Sequence, residues 1–445
     1  MRTPHVTPRR RGAPRRLGAV ALAVAVGTAS LVGAGAPAAA EPATILGAGA
    51  PTAIPGSYIV VLKDSVTLRD TGILTRDGRV PRGTMSPSAR AAARDAVDRA
   101  AETLADRHGA TVGHRYSAAL RGFTIRASET VARRIAAEES VAFVEQNRRT
   151  RLDDDRTAPV TTLGTQPNPP SWGLDRVDQT SLPLDNSFSY PSSGGQGVHA
   201  YVIDSGIRLT HQDFGTRVVN GIDVVDGGTA DDCYGHGSHV AGTLGGTTYG
   251  VAKSVTLVAV RVWACDATGD IATTTQAIDW VTANAQQPAV ANMSFGNSTT
   301  LNPGAYEAAT TGLINSGVTV VASAGNDGGD ACVKTPAFIP AVLTVGSTWP
   351  DDGAAWLSNH GPCVDLFAPG QSIVSAGHTT DTAWTTKTGT SMAAPHVAGA
   401  AALILAANPT WTPAQVHAQV IADSTSGVVF NTRPDTTSRM LYVPS

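Results

Sequence analysis

Four polar residues between positions 204 and 391 could share one reaction. Asp204 ends the apolar run Val202-Ile203 and is followed by Ser205-Gly206. A carboxylate at the end of a buried strand is costly unless hydrogen-bonded. It suits the task of orienting a histidine, although alone it would read as a strand-end turn residue. His236 stands between Gly235 and Gly237 at the head of a small-residue helical stretch. An imidazole at such a helix start is expected to be solvent-accessible and to act as a general base near neutral pH. His239, one turn on, reads as a packed structural histidine. Ser391 lies in Gly389-Thr390-Ser391-Met392-Ala393, where a helix beginning places its hydroxyl at a positively polarised N-terminus. Taken alone it would be an ordinary N-cap; beside a base it becomes a nucleophile. Asn326 follows Ser323-Ala324-Gly325 directly after an apolar strand. Its amide suits either an Asx turn or the stabilisation of a tetrahedral oxyanion. Together the four residue types describe acyl transfer.

In the order Asp, His, Asn, Ser, the blocks Asp204-Ser205-Gly206, Gly235-His236-Gly237-Ser238-His239, Gly325-Asn326 and Gly389-Thr390-Ser391-Met392-Ala393 resemble the signature segments of the subtilisin family. That family is itself a standard illustration of the triad order and the oxyanion asparagine, so the assignment rests on likeness. The segments Ser171-Trp172-Gly173-Leu174-Asp175-Arg176, Thr248-Tyr249-Gly250-Val251-Ala252-Lys253 and Ala291-Asn292-Met293-Ser294 resemble its proteinase K-like branch, aqualysin-type secreted enzymes most.

The resemblance implies a secreted serine endopeptidase, made as an autoprocessed zymogen, with Asp204, His236 and Ser391 as triad and Asn326 as oxyanion donor. It implies the pairings Cys233–Cys265 and Cys332–Cys363. Polypeptide substrates would add as a strand between the edges Thr268–Ile271 (Thr268 and Gly269 in particular) and Ser294-Phe295-Gly296, with Ala324-Gly325 in the S1 wall. Phe295 departs from the smaller aliphatic residue common in the group. A structural calcium ion would be held by the carbonyls of Pro340 and Val342 and the carboxylate of Asp365, hard oxygen donors that suit Ca²⁺. No organic cofactor is implied.

These residues need elements to position them. From Trp172 onward, apolar runs at 198–203, 255–262, 289–293, 318–323 and 342–346 alternate with helical patterns at 238–244, 273–284, 305–316 and 392–407. Such alternation predicts an α/β fold, a mostly parallel sheet with helices on both faces, with ligands beyond the carboxyl ends of the strands. Residues 56–147 read as a separate, small α+β unit. Its strands are expected at 58–62, 122–125 and 141–145, with another at 111–117, and its helices run from Pro87 to about Arg107 and from Glu129 to Glu138. This order suggests a split βαβ, ferredoxin-like sheet. The unit resembles the inhibitor-type propeptide of the same family, which implies an intramolecular chaperone and cleft inhibitor as partner.

The leader reads as a signal peptide. Arg9, Arg10, Arg11, Arg15 and Arg16 precede an apolar run from Leu17 to about Val32, and Ala38-Ala39-Ala40 precedes Glu41. The run is short for a membrane span and is broken by Gly and Ser. The expected boundaries are 1–40 signal peptide, 41–159 propeptide and 160–445 peptidase domain, with a cleavable linker from Asp153 to about Pro170.

Composition sets the remaining bounds. The formal charge of -3 is uneven: residues 160–445 carry 9 basic and 21 acidic side chains. A compact segment so acidic is repelled by polyanions, which excludes DNA and RNA as expected partners. The four cysteines all lie in it, and no Cys-x-x-Cys or Cys/His cluster has zinc spacing, so two disulfides in an oxidising compartment are the expected reading. The mature enzyme is expected to be extracellular and monomeric, with no membrane attachment after signal removal. Two competing classes remain. An esterase would need a Gly-x-Ser-x-Gly elbow, which Gly389–Ala393 lacks; an inert, decayed scaffold would not keep all four polar groups.

Overall fold

A computed structural model describes residues 44–75, 80, 85–151, 167–298 and 304–444. The signal-peptide reading and most of the linker reading fall outside these residues.

The N-terminal part of the described chain is a β-α-β-β-α-β unit. Its strands are β1 (Ala53–Leu62), β2 (Thr111–Tyr116), β3 (Gly122–Arg126) and β4 (Val141–Arg151); its helices are α1 (Pro87–His108) and α2 (Glu129–Ala136). Local chemistry sets the helix limits. Ser86 and Ser128 accept the N–H groups of Ala89 and Val131, and Gly109 ends α1 at φ 70°. These four strands pair antiparallel in the order β4-β1-β3-β2, and a two-residue strand, Ile45–Leu46, adds parallel to the outer side of β4. β4 runs six residues beyond the expected Glu145, because its last residues find another partner, described below.

The second layer system holds a seven-stranded sheet. Its strands are β5 (His199–Asp204), β6 (Val218–Asp223), β7 (Thr256–Arg261), β9 (Ala289–Met293), β10 (Thr319–Ser323), β11 (Leu343–Thr348) and β12 (Leu366–Pro369). Their order is β12-β11-β10-β9-β5-β7-β6, and every neighbouring pair is parallel. A short edge strand, β8 (Thr268–Asp270), lies outside this sheet.

Alternation along the strands divides the core. Ala200, Val202, Leu257 and Ala259 join one apolar cluster with α3 (His236–Gly245), α6 (Thr390–Ala407) and α7 (Pro413–Asp423). Tyr201, Ile203, Val258 and Val260 join the opposite cluster with α4 (Ile271–Asn284) and α5 (Ala305–Asn315). Period-two burial thus requires helices on both faces. Ile59, Val61, Tyr116 and Leu120 of the first unit complete the second cluster, so one face of its sheet packs on α4 and α5. Its other face, with Tyr58, Val60 and Phe123, packs on its own helices. Helix α6 is long and apolar enough to cross a membrane, yet 83% of it is buried here; it is the core helix.

Candidate active site

Strand register sets Asp204 and the segments leading to Ser294 and Asn326 on neighbouring strands. Asn292 on β9 pairs with Val202 on β5, and Met293 pairs with Ala322 on β10. Ser294 follows the end of β9, and Asp204 ends the neighbouring β5. Asn326 follows three residues after the end of β10. Asp204, Ser294 and Asn326 thus lie at or just beyond the carboxyl ends of adjacent parallel strands.

Asp204 carries the histidine. Its Oδ1 accepts from His236 Nδ1 at 2.7 Å and from the Ser205 N–H at 2.7 Å. Burial pushes the Asp204 carboxyl up, and the adjoining imidazole opposes that shift. Gly237 explains the small residues around His236. A Cβ there would collide with the Gly206 carbonyl and come 3.1 Å from Asp204 Cβ, so only glycine lets α3 start this close to β5.

One acid that sequence reasoning passed over holds the two segments together. Asp232, buried, accepts through Oδ1 from Ser205 Oγ at 2.9 Å, Tyr234 N at 3.0 Å and Gly235 N at 2.8 Å. Its Oδ2 accepts from Ser238 N at 2.8 Å and Ser238 Oγ at 2.6 Å. Five donors on one carboxylate fix the strand-end turn against the start of α3. The only signal in the sequence was an acid four residues before His236.

The expectation of a solvent-accessible His236 is corrected: its exposure is 0%, because every residue of α3 is buried among the elements packed around it. His239 is packed as expected, with Nε2 donating to the Ile373 carbonyl at 2.9 Å; burial holds it well below the usual histidine range, so it is neutral.

Ser391 is the second residue of α6. Its Oγ donates to the Ser294 carbonyl at 3.0 Å, and its carbonyl accepts from Ser294 Oγ at 2.8 Å. Asn326 is aimed by its own oxygen: Oδ1 accepts from Thr390 N and Thr390 Oγ1, both at 2.8 Å. The two bonds fix which end of the amide is the oxygen, against the first residue of α6. Gly325 N–H donates to Thr390 Oγ1 at 3.2 Å, and the Ala324 carbonyl accepts from Asn359 Nδ2 at 2.9 Å.

The edge strand is filled. β4 of the first unit adds antiparallel to β8, with Arg149 opposite Asp270, Thr150 opposite Gly269 and Arg151 opposite Thr268. Thr268 and Gly269 thus pair with an extended peptide, in the strand-addition mode. Of the facing edge, Ser294 sits under Ser391, and Gly296 abuts the Thr335 carbonyl. Phe295 points the other way. Its ring lies in the core, 5.3 Å from the Trp263 ring and 6.5 Å from that of Tyr306, so its side chain does not shape the cleft.

The inhibitor-like unit is clamped by two carboxylates, one from each side. Asp279 on α4 accepts from the N–H groups of Ser117, Ala118 and Ala119 at 3.1, 2.7 and 2.6 Å. Glu145 on β4 accepts from Ala305 N at the start of α5 at 2.8 Å. Neither was recognised in the sequence, since both depend on the docking of distant segments.

The cysteines pair as the resemblance implied. Cys233–Cys265 closes a separation of 32 residues and Cys332–Cys363 one of 31. Asp365 is half-buried; its Oδ2 accepts from Thr344 N at 2.8 Å, and Oδ1 lies 3.7 Å from His417 Nε2. Burial pushes its carboxyl up. Asp365 Oδ1, without a donor closer than His417 among the described residues, is a hard oxygen ligand of the kind that suits a divalent cation.

A parallel α/β scaffold with a carboxylate-bound imidazole, a helix-start serine and an anchored amide defines an acyl-transferring hydrolase, here with an inhibitor-like domain strand-paired to its cleft. Comparison with known proteins identifies the group. Residues 195–438 match the Subtilase family and residues 57–153 match Peptidase inhibitor I9. The chain is 44% identical over 393 residues to an extracellular serine proteinase of Thermus sp. (strain Rt41A), covering 88% of this chain and 90% of that protein. It is 38% identical to alkaline serine exoprotease A of Vibrio alginolyticus, covering 90% of this chain and 70% of that protein. The crystal structure of a cold adapted subtilisin-like serine proteinase superposes with a TM-score of 0.59 at 46% identity, covering 62% of this chain and 98% of that one. The chain belongs to the subtilase family: it is a subtilisin-like serine peptidase that carries its inhibitor-type propeptide.

Proposed function

We propose that this enzyme is exported, cleaves off its own propeptide, and then hydrolyses peptide bonds in extracellular polypeptides through Asp204, His236, Ser391 and Asn326. Residues 1–40 serve as signal peptide, 41–159 as propeptide and 160–445 as peptidase domain. His236 Nε2 takes the Ser391 proton as Oγ attacks the scissile carbonyl. Asp204 holds the imidazole by its Nδ1–H and stabilises the imidazolium. Asn326 Nδ2 and the Ser391 N–H, at the head of α6, receive the oxyanion. The proton then passes from His236 to the leaving amine, and water releases the acyl group by the reverse sequence. Export is supported by the leader pattern and by a relative whose name describes an extracellular protein. The mature enzyme acts as a monomer.

The observation that supports this reading is the Asp204–His236 hydrogen bond at the end of β5, on the strand that neighbours β9, whose continuation Ser294 bonds Ser391. Ser391→Ala is expected to give a full-length precursor that neither processes itself nor reacts with a fluorophosphonate probe. Normal maturation and casein digestion by that variant would remove Ser391 from the mechanism.

Pro340 and Val342, by their carbonyls, and Asp365, by its carboxylate, would hold a calcium ion. The ion would tie the loop before β11 to the start of β12 without entering the reaction. Chelation is expected to lower the melting temperature of wild type and to leave that of Asp365→Asn little changed.

A further inference from the structure

The pairing of β4 with β8 has two unlike faces. Thr150 is buried, and a Cβ on its partner Gly269 would come 2.9 Å from the Trp263 ring, so this face lies against the body of the enzyme. Arg149 and Asp270 stand opposite each other on the outer face, with Arg149 exposed and Asp270 half-buried. Directly opposed residues of an antiparallel pair bring their Cβ atoms to about 5 Å, within reach of opposite charges.

The charges around this pair are one-sided. The tail 146–151 contains three arginines and no acid. Arg148 is taken by Glu145 within the propeptide, at 2.8 Å. On the enzyme side, Asp270 is followed along the same edge by Asp266, whose Oδ1 receives both the N–H and the hydroxyl of Thr268, the partner of Arg151. Asp270 is fixed in place, since its Oδ1 caps α4 through Thr273 N at 2.8 Å. A carboxylate so held on a strand edge, level with a single residue of the added strand, is placed to interact with charge at that residue.

We propose that Asp270 is a specificity-determining residue: it favours polypeptide substrates carrying Lys or Arg at the position that Arg149 occupies in the zymogen. The inference rests on the reading of β8 as the substrate edge of a peptidase. It names the basic side of the substrate class and one position on the side of the scissile bond that the propeptide tail fills.

The test is a cleavage-site profile. Mature enzyme prepared from the full chain is given a mixed peptide digest, and the new termini are read by mass spectrometry. Wild type is expected to enrich Lys and Arg over Gln about two- to fivefold at one position N-terminal to the cut, and to deplete Glu there. Asp270→Asn, which keeps a good capping residue on α4, is expected to flatten that position alone. Asp270→Arg is expected to turn the preference toward Asp and Glu. Equal use of Arg, Gln and Glu by wild type, or an enrichment that survives Asp270→Asn, overturns the proposal while leaving the peptidase intact. A wild-type preparation that makes no cuts at all overturns the hydrolytic reading, and the inference with it.

Discussion

Ser294 and Ser391 hold each other twice: Ser391 Oγ donates to the Ser294 carbonyl, and Ser294 Oγ donates to the Ser391 carbonyl. The link joins the end of a sheet strand to the first turn of the long core helix, and Asn292 Nδ2 supports it by donating to Ser294 Oγ at 2.8 Å. The nucleophile's position is therefore set by a strand end rather than by its own helix alone. Ser294→Ala removes the hydroxyl and leaves the buried Asn292 amide short of an acceptor. The expected cost is about 1–3 kcal/mol of stability. Because Ser391 loses one anchor, kcat should fall more than KM rises; thermal melts and steady-state kinetics on one peptide check both parts, and an unchanged kcat would show that the link is not needed.

Asn326→Ala removes the donor that Thr390 holds in place. A fall of about 10²–10³ in kcat with little change in KM is expected, a magnitude taken from the subtilisin oxyanion asparagine itself. Thr390→Val, which takes away the hydroxyl donated to Asn326 Oδ1, should reproduce part of that fall; a wild-type rate in both variants would place the oxyanion elsewhere.

Asp279→Ala strands three main-chain N–H groups of the propeptide. Each buried donor without an acceptor costs about 1–3 kcal/mol, so the docked propeptide should be held at least roughly tenfold more weakly. The lag between cleavage of the chain and full peptidase activity should shorten. A lag equal to that of wild type would mean that strand pairing with Thr268–Asp270 alone retains the inhibitor.

His396 gives stability a pH dependence of known sign. It is buried on the core helix, its Nδ1 bonded to the Met392 carbonyl at 2.8 Å, and burial lowers its pKa from 6.5 to about 4. The unfolded chain takes up the proton first, so its contribution is complete above about pH 6.5 and is lost as pH falls toward 4. The loss amounts to about 3 kcal/mol. Denaturant midpoints in a Ser391→Ala background, where self-digestion is absent, should fall over that window and fall less in His396→Gln. Equal slopes would clear His396 of the effect.

Much of this was legible in the chain because local rules and global fold agree. Apolar runs of five to eight residues between small-residue helices read as buried strands, and they became the five inner strands of the parallel sheet; the edge strands β6 and β12 carried no such run and were not expected. Boundaries moved where a partner lay far away: the strand read as ending at Glu145 continues to Arg151 because Thr268–Asp270 pairs with it. The burial of His236 was misread for a similar reason. Its place at a helix start suggested access, but α3 begins against β5, with Gly237 close to the Gly206 carbonyl.

By itself the sequence determined which residue types meet in the reaction, which segments form the two folded units, and which cysteines are present to pair, because each of these is written in patterns a few residues long. Tertiary structure alone decided that Asp232 would bind two distant segments, that Phe295 would turn into the core, and that Asp279 and Glu145 would clamp the propeptide. A carboxylate's role depends on which N–H groups arrive within about 3 Å of it, and those groups come from chain up to 162 residues away.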